Sequence, residues 1–352
     1  MSNQNLQSLP HSQGVWALAW TRLKTNRVGL ISLGVTLFFV LLLLLAQLGL
    51  VAKDWQVEVG TPFAPPHFVG TIKDSSETTA VDSIKGPNVD ISAMDPLAPR
   101  YQEWNERAAQ FKFTETVKQD TLPFGADQQG RDVLDKVVKG AQVSITVGLT
   151  AALFATFIGT LLGALAGYIG GWVDDVLEWV YNVFTAIPYI LLIFALAAVL
   201  KAGPYAATLG NSVWTVVIIL GLVGWTGIYR LVRAEYIKHR ARDYVRAAEA
   251  IGASHLSRMF THILPNISHV VLVQLSLHVV GFIKAEVILS FLGLGVPIDV
   301  VSWGTMLSES QAELVQGKWW QLVAATAMMA TFVTAFALLT DALRDALDPK
   351  LR

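Results

Sequence analysis

The stretch Asp243–Asn266, DYVRAAEAIGASHLSRMFTHILPN, is polar and basic, yet hydrophobic runs lie on both sides of it. Within it, apolar side chains recur at the spacing of one helix face, before and after Gly252. Gly252 supplies the backbone freedom for a sharp break, and Pro265 is expected to stop the second helix. The pattern predicts two short helices broken at Gly252. The apolar positions are Tyr244, Ala247, Ala248 and Ile251, then Leu256, Met259, Phe260 and Ile263.

Helices this short are not stable alone, so the hairpin needs a surface against which to bury its apolar side chains. Two interpretations follow. The hairpin is either an ordinary loop anchored against its own hydrophobic neighbours, or a docking element for a cytoplasmic partner.

The composition indicates a membrane protein. Of the 352 residues, 53% are hydrophobic and only 15% are charged, against about 25% charged residues in soluble domains. There are no cysteines, which excludes structural disulfides and thiolate metal sites. The apolar run after residue 27 is too long for the core of a signal peptide, so we interpret it as a retained transmembrane helix.

A span needs about 20 apolar residues to cross the hydrocarbon core, and six segments qualify. The sequence therefore predicts an all-α membrane protein with six transmembrane helices. Pro188 should kink the third span, and Gly163, Gly167, Gly170 and Gly171 should allow close helix packing. The spans are Val28–Ala52, Val143–Gly170, Trp179–Leu200, Val213–Tyr229, Val270–Val296 and Trp319–Thr340.

Orientation follows from Lys and Arg in the short flanks. Basic residues precede the first span, fill the segment 230–266 and end the chain. We therefore expect the N-terminal segment 1–27, the hairpin segment 230–266 and the tail 341–352 to be cytoplasmic. Asp174, Asp175 and Glu178 fall on the same side without a basic neighbour in the sequence, but acidic residues contribute little to orientation.

The hydrophilic segment 53–139 should then lie outside the cytoplasmic membrane, because long loops translocate largely regardless of charge. Its stretch Thr61–Asp90 is rich in Pro, Gly, Ser and Asp, which favours loop or loosely ordered structure. Asp127, Arg131 and Asp132 near its end are expected to be structural. Before the first span, Val15, Leu18, Ala19 and Leu23 share a helical face, which predicts an interfacial helix.

The stretch Arg246–Pro265 resembles the EAA loop of ABC-importer permeases, whose pattern is Glu-Ala-Ala, three residues, Gly, nine residues and Ile-x-Leu-Pro. Ala247, Ala248, Gly252, Leu264 and Pro265 match this pattern. Arg246 and His262 depart from it.

Further stretches resemble the C-type permease subunit of dipeptide and oligopeptide importers. They are FGADQQGRDVLDKVVKGAQVSITVG from Phe124, AGYIGGWVDD, VGWTGIYRLVRAEYI, LSFLGLGV with SWGTML, and DALRDALDPKLR, in the family's order. The resemblance covers most of Gly125–Arg352 and implies a type I importer permease architecture. The N-terminal segment and much of Lys53–Asp120 lie outside it.

The resemblance implies a function in an inner membrane. Two permease subunits would form the pathway, and an extracytoplasmic substrate-binding protein would deliver peptides. Two cytoplasmic ATPase subunits would bind ATP and Mg and receive the hairpins. The chain itself would then bind no cofactor and no nucleic acid and would not be an enzyme. It contains no Walker A motif and no metal-ligand spacing. The implied coupling loop comprises Tyr244, Ala247, Ala248, Gly252, Ala253, Leu264 and Pro265.

The fifth span carries polar residues at membrane depth, which are costly and usually face a cavity or a partner. Gln274, His278 and Glu286 are candidates for the pathway or the permease–permease interface, and Lys284 is expected to matter less. The alternative function is a secondary transporter that uses His278, Lys284 and Glu286 as a proton relay. An intramembrane enzyme has less support, because no Gly-x-Ser-x-Gly elbow is present.

Overall fold

The computed structural model describes residues 15–70, 97, 100–110, 118–202, 212–297 and 299–347. These fall into two compact units, one from residues 1–55 and 135–352 and the other from Gln56–Leu134. The first unit is a helical bundle. The second is a small unit held together by isolated β-bridges.

Two helices open the bundle. Helix α1 (Val15–Thr25) confirms the helix expected before the first span. Helix α2 (Arg27–Gln47) begins where the Asn26 side chain accepts a hydrogen bond from the Gly29 amide at 3.1 Å. It ends five residues before the predicted Ala52.

Helix α4 (Val133–Ile169) and helix α7 (Val213–Arg240) are in close contact along a ladder of glycines. A Cβ on Gly159, Gly163 or Gly167 would lie 2.2–2.7 Å from the nearest atom of α7. The spacing of four residues places all three glycines on one face of α4. The packing role expected for Gly163 and Gly167 is confirmed, and Gly159 extends it.

The third span is not one helix from Trp179 to Leu200. Helix α5 (Gly171–Ala186) and helix α6 (Tyr189–Ala202) are bent by 91° at a short break. Pro188 disfavours the helical conformation for the residue before it, and Ile187 is accordingly extended, with φ −96° and ψ 133°. The kink expected at Pro188 is therefore a complete break of the helix.

The bundle is completed by three helices after the hairpin region. Helix α9 (Leu264–Phe291) is followed by α10 (Trp303–Val315) and α11 (Trp320–Leu347), and the three pack against one another. Helix α10 was not predicted as an element. Helix α11 continues past the predicted end at Thr340, so residues 341–347 of the expected tail are helical.

The described residues contain five helices long and apolar enough to span a membrane, and the bent α5–α6 pair makes six if it is one broken span. The prediction of an all-α membrane protein is confirmed, with five to six candidate spans against the six predicted. The five are Arg27–Gln47, Val133–Ile169, Val213–Arg240, Ser257–Phe291 and Trp320–Ala346.

The described residues of the second unit include regular structure. This unit contains helix α3 (Tyr101–Gln110) and a small core of Ala64, Leu122 and Ala126. Asp127 is buried and accepts hydrogen bonds from Arg131 Nε at 2.7 Å and from the Arg131 amide at 3.0 Å. These bonds fit the structural role expected for the charged cluster. Residues 71–90 of the Thr61–Asp90 stretch lie outside the described residues.

Candidate functional site

The hairpin begins with helix α8 (Asp243–Ala250), which directly follows α7. At its end the Ala253 amide donates to the Ala248 carbonyl at 2.9 Å, and the Gly252 amide donates to the Glu249 carbonyl at 2.9 Å. This pair of bonds is a Schellman motif, which needs a left-handed residue. Gly252 has φ +86°. The predicted break at Gly252 is confirmed, and its cause is backbone conformation.

Pro265 does not stop the second arm, contrary to the sequence prediction. The π-helical segment Ser257–Ile263 continues directly into α9, and Pro265 lies in the first turn of that helix. A proline lacks an amide hydrogen and clashes with the carbonyl four residues earlier. The wider π-helical turns before Pro265 accommodate it, so hairpin and span form one continuous element.

The inner side of the hairpin is buried in the bundle. Val245 of α8 and Met259 and Ile263 of the π-helical segment join a core cluster with side chains of α4 and α7. The Tyr236 hydroxyl donates to the Met259 carbonyl at 3.1 Å. The hairpin is therefore anchored to its own spans, as the first interpretation required.

Polar contacts tie the two arms together across Gly252. Arg258 Nη1 lies 2.7 Å from Glu249 Oε1, and Arg258 Nη2 lies 3.1 Å from His255 Nδ1. The Tyr168 hydroxyl of α4 is 3.2 Å from the same His255 nitrogen. The Arg258 side chain is only 9% exposed. The burial of Arg258 depends on how the two arms fold together, so no local pattern in the sequence marks this residue.

The outer side of the hairpin is apolar and exposed. Ile251 is 83% exposed and Leu256 is 66% exposed, on opposite sides of Gly252. The predicted apolar face is therefore divided between an inner and an outer surface. Of the expected coupling residues, Ala248 is buried, Ala253 and Leu264 are half-buried, and Tyr244, Ala247, Gly252 and Pro265 are exposed.

The polar residues at membrane depth form separate clusters. Gln274 Nε2 lies 3.3 Å from His278 Nε2, and Thr156 Oγ1 of α4 lies 3.3 Å from His278 Nδ1. Gln274 and His278 therefore lie on the same face of α9. The His278 ring stacks on Phe282, with centroids 5.2 Å apart.

Glu286 is fully buried, and its Oε1 accepts a hydrogen bond from Ser290 Oγ at 2.6 Å. Ser290 Oγ in turn accepts from the Val296 amide at 3.2 Å. Glu286 thereby holds the loop after α9 against the helix. Lys284 is exposed, so it lies on another side of α9. The described contacts place His278 and Glu286 in different clusters and lend no support to a proton relay.

Two of the three acidic residues that lacked a basic neighbour in the sequence, Asp174 and Glu178, have one in space. Arg233 of α7 donates to Asp174 through Nε at 2.6 Å and through Nη2 at 2.8 Å, and Nε lies 3.5 Å from Glu178 Oε2. A bidentate arginine–carboxylate pair fixes both groups. It joins α5 to α7 over 59 residues of sequence, so no local pattern could have predicted it.

No group of side chains that could hold a metal ion is found among the described residues. Five to six candidate spans, with a folded hairpin anchored between α7 and α9, define a multi-pass membrane protein.

The chain belongs to the family of binding-protein-dependent transport system inner membrane components, which matches residues 159–352. A second profile, the N-terminal TM domain of oligopeptide transport permease C, matches residues 14–66.

Named relatives agree with this family. The dipeptide transport system permease protein DppC of Bacillus subtilis is 31% identical over 334 residues, which cover 95% of this chain and 85% of the relative. The oligopeptide transport system permease protein OppC of Salmonella typhimurium is 37% identical over 229 residues, which cover 65% of this chain and 72% of the relative. The glutathione transport system permease protein GsiD of Salmonella typhi is 38% identical over 229 residues, with the same coverage of the two chains.

The comparisons confirm the ABC-importer permease family and correct the extent of the resemblance. The N-terminal segment was placed outside it, yet residues 14–66 match a family profile. The chain is thus an inner-membrane permease subunit of a transport complex. It is a transport component and not an enzyme, because ATP hydrolysis in these importers belongs to separate subunits.

Proposed function

We propose that the chain forms half of the translocation pathway of a peptide importer and that its hairpin docks on a cytoplasmic ATPase subunit. The observation that carries the proposal is the division of the hairpin into an anchored inner side and an exposed apolar outer side. Docking through Ile251 and Leu256 would bury apolar surface that is open in this chain.

Continuity with two spans supports a mechanical role. Helix α8 follows α7 after two residues, and the π-helical segment runs without a break into α9. Val245, Met259 and Ile263 are packed between the same spans. A displacement of the hairpin therefore moves α7 and α9 with it, since close-packed interiors transmit strain. The pathway would alternate between outward-facing and inward-facing states as the ATPase dimer closes.

The proposed complex contains this chain, a second homologous permease subunit, two ABC ATPase subunits that bind ATP and Mg, and an extracytoplasmic binding protein. Peptides are the proposed substrate class, because the relatives are named for dipeptides, oligopeptides and glutathione. Tyr244, Ala247, Gly252 and Pro265 on the exposed side would contact the ATPase.

The proposed topology places both termini and the hairpin in the cytoplasm and residues 53–139 outside. The chain has no cysteine, so single cysteines can be introduced for labelling. Glu103→Cys in the exposed α3 should react with a membrane-impermeant thiol reagent added to intact cells, and Arg242→Cys should not. The reverse result would invert the topology.

Gln274, His278 and Glu286 are retained as candidates for the pathway or the permease interface, in different roles. Gln274 is half-buried, so part of its side chain can contact a substrate or a partner subunit. His278 and Glu286 are buried and would act through helix packing. Gln274→Ala should therefore alter uptake more than it alters the unfolding temperature. An unchanged uptake rate would remove Gln274 from the pathway.

The central test is Ile251→Asp, which places a charge on the exposed outer side. Because the side chain is 83% exposed, the change should alter stability by no more than about 0.5 kcal/mol. It should weaken co-purification of the ATPase subunit and lower uptake, as a charge inside an apolar interface does. The matched control is Val315→Asp, since Val315 is 89% exposed at the end of α10. Normal co-purification and uptake with Ile251→Asp would refute docking through this surface.

A further inference from the structure

A cleft of about 740 Å³ lies between the hairpin and the ends of α4 and α7. The cleft shares Leu256 with the outer side of the hairpin, whereas Ile251 does not line it. Its walls include Leu165 and Ile169 of α4, together with Leu256 and Met259 of the hairpin. These apolar side chains make one wall of the cleft suitable for hydrocarbon.

The charges around the cleft are unbalanced. Three arginines line it, Arg240, Arg246 and Arg258, against a single carboxylate, Glu249. Glu249 already pairs with Arg258 at 2.7 Å. Arg240 and Arg246 therefore leave an excess of positive charge beside the apolar wall.

Arg258 provides a second, independent indication of a ligand. Its side chain is 9% exposed, and its Nε is buried without a hydrogen-bond partner among the described residues. An unpaired buried donor on a charged group is costly. An acceptor in the cleft would reach this nitrogen once the Arg258 side chain shifts to expose it, and guanidinium groups match phosphate oxygens in geometry.

The position of the cleft indicates where the acceptor comes from. Helix α4 ends at Ile169 and helix α7 ends at Arg240, and both line the cleft. With 28 residues, α7 is about 42 Å long. This length matches the roughly 40–45 Å of a bilayer with its headgroups, so the end of α7 reaches the headgroup level. Basic pockets between transmembrane helices at this level bind acidic headgroups.

We propose that this cleft binds the phosphate of an anionic phospholipid, with Arg240, Arg246 and Arg258 around the headgroup and Leu165 and Ile169 beside the acyl chains. The bound lipid would brace the hairpin against α4 and α7. The proposal does not depend on docking to an ATPase or on the orientation of the chain.

The experiment uses the full-length chain purified in detergent and measures thermal unfolding during titration with defined lipids. Phosphatidylglycerol should raise the unfolding temperature, whereas phosphatidylcholine should not. Inorganic phosphate and glycerol 3-phosphate form a further arm, because they carry the same phosphate chemistry without acyl chains. A soluble anion that stabilises as strongly as phosphatidylglycerol would overturn the lipid assignment.

Arg246→Gln tests the cleft itself, because Arg246 is exposed and lines it. The change should weaken phosphatidylglycerol binding about tenfold, the effect of losing one charge-assisted contact. The control is Arg242→Gln, which removes an exposed arginine of the same hairpin that does not line the cleft. If both variants lose phosphatidylglycerol affinity equally, the lipid is attracted by the general positive charge of the hairpin, and the proposal of a specific site in the cleft is wrong.

A last measurement distinguishes a lipid-binding site from a contact with a protein partner. Arg246→Gln should leave co-purification of the ATPase subunit unchanged. If it reduces co-purification and leaves phosphatidylglycerol binding intact, the arginines serve a protein partner and the lipid proposal is wrong.

Discussion

Helix α9 lies between the hairpin, which contains Gly252, and the loop Leu292–Ser302, which contains Gly295. These two glycines have opposite surroundings. Gly252 has φ +86°, and a Cβ there would meet nothing within 4 Å. A Cβ on Gly295 would lie 2.0 Å from Ser290 Oγ and 2.4 Å from the Ser290 amide nitrogen. The first position requires glycine for its backbone conformation, and the second requires it for lack of space.

The same difference extends to the side chains around each glycine. Ile251 beside Gly252 is exposed, whereas Ser290 and Glu286 beside Gly295 are buried and hydrogen-bonded. Gly304 of α10 is equally close to α9, because its Cβ would lie 2.6 Å from the Val287 carbonyl oxygen. One end of α9 thus leaves surface free for a partner, and the other end is closed within the chain.

The largest effect is expected from Gly295→Ala. The added methyl group would overlap backbone atoms of Ser290, which cannot move aside as a flexible side chain does. We expect a loss of about 3 kcal/mol, at the upper end of the usual range for overpacking, measured as a lower unfolding temperature in detergent. The control is Gly281→Ala in α9, where a Cβ meets nothing within 4 Å. Equal stability of the two variants would contradict the inference that the loop after α9 is packed against the helix without space for a side chain at Gly295.

A smaller loss is expected from Ser290→Ala. Glu286 would lose the donor at 2.6 Å and keep the hydroxyls of Ser144 and Ser302, whereas the Val296 amide would lose its acceptor at 3.2 Å. Leaving buried polar groups unpaired costs about 1–3 kcal/mol, so the unfolding temperature should fall. Ser276→Ala in the same helix is the matched control, since Ser276 bonds only to the Leu272 carbonyl of its own helix among the contacts described. A similar fall in both variants would mean that Ser290 does not hold the loop.

The smallest change in stability is expected from Gly252→Ala. The side chain has space, so only the left-handed backbone is strained, at about 1 kcal/mol. Gly252→Asn should recover part of this loss, because asparagine tolerates that conformation. Uptake per ATP hydrolysed should fall in Gly252→Ala and recover in Gly252→Asn. A loss as large as that of Gly295→Ala would erase the distinction between the two ends of α9.

The sequence by itself determined the membrane class, the six spans and the break at Gly252. Hydrophobic length and glycine conformation act locally, so they can be recognised in a single stretch of chain. Its motifs also indicated the ABC-importer family, which the comparisons confirm over residues 159–352.

Tertiary structure decided how each local signal was used. The spacing of apolar residues placed Tyr244, Ala248 and Ile251 on one helix face, but Ala248 is buried whereas the other two are exposed. The sequence marked Pro265 as a helix end, whereas the preceding π-helical turns carry the chain through it.

Long-range partners were decided by the tertiary structure alone. Arg233 pairs with Asp174 across 59 residues, and Ser290 accepts from an amide beyond the end of its own helix. Burial and ion pairing depend on which surfaces meet, and local spacing does not specify that. The sequence therefore determined the apolar segments and the break at Gly252, and the packing of the helices decided which of their faces remain free to bind.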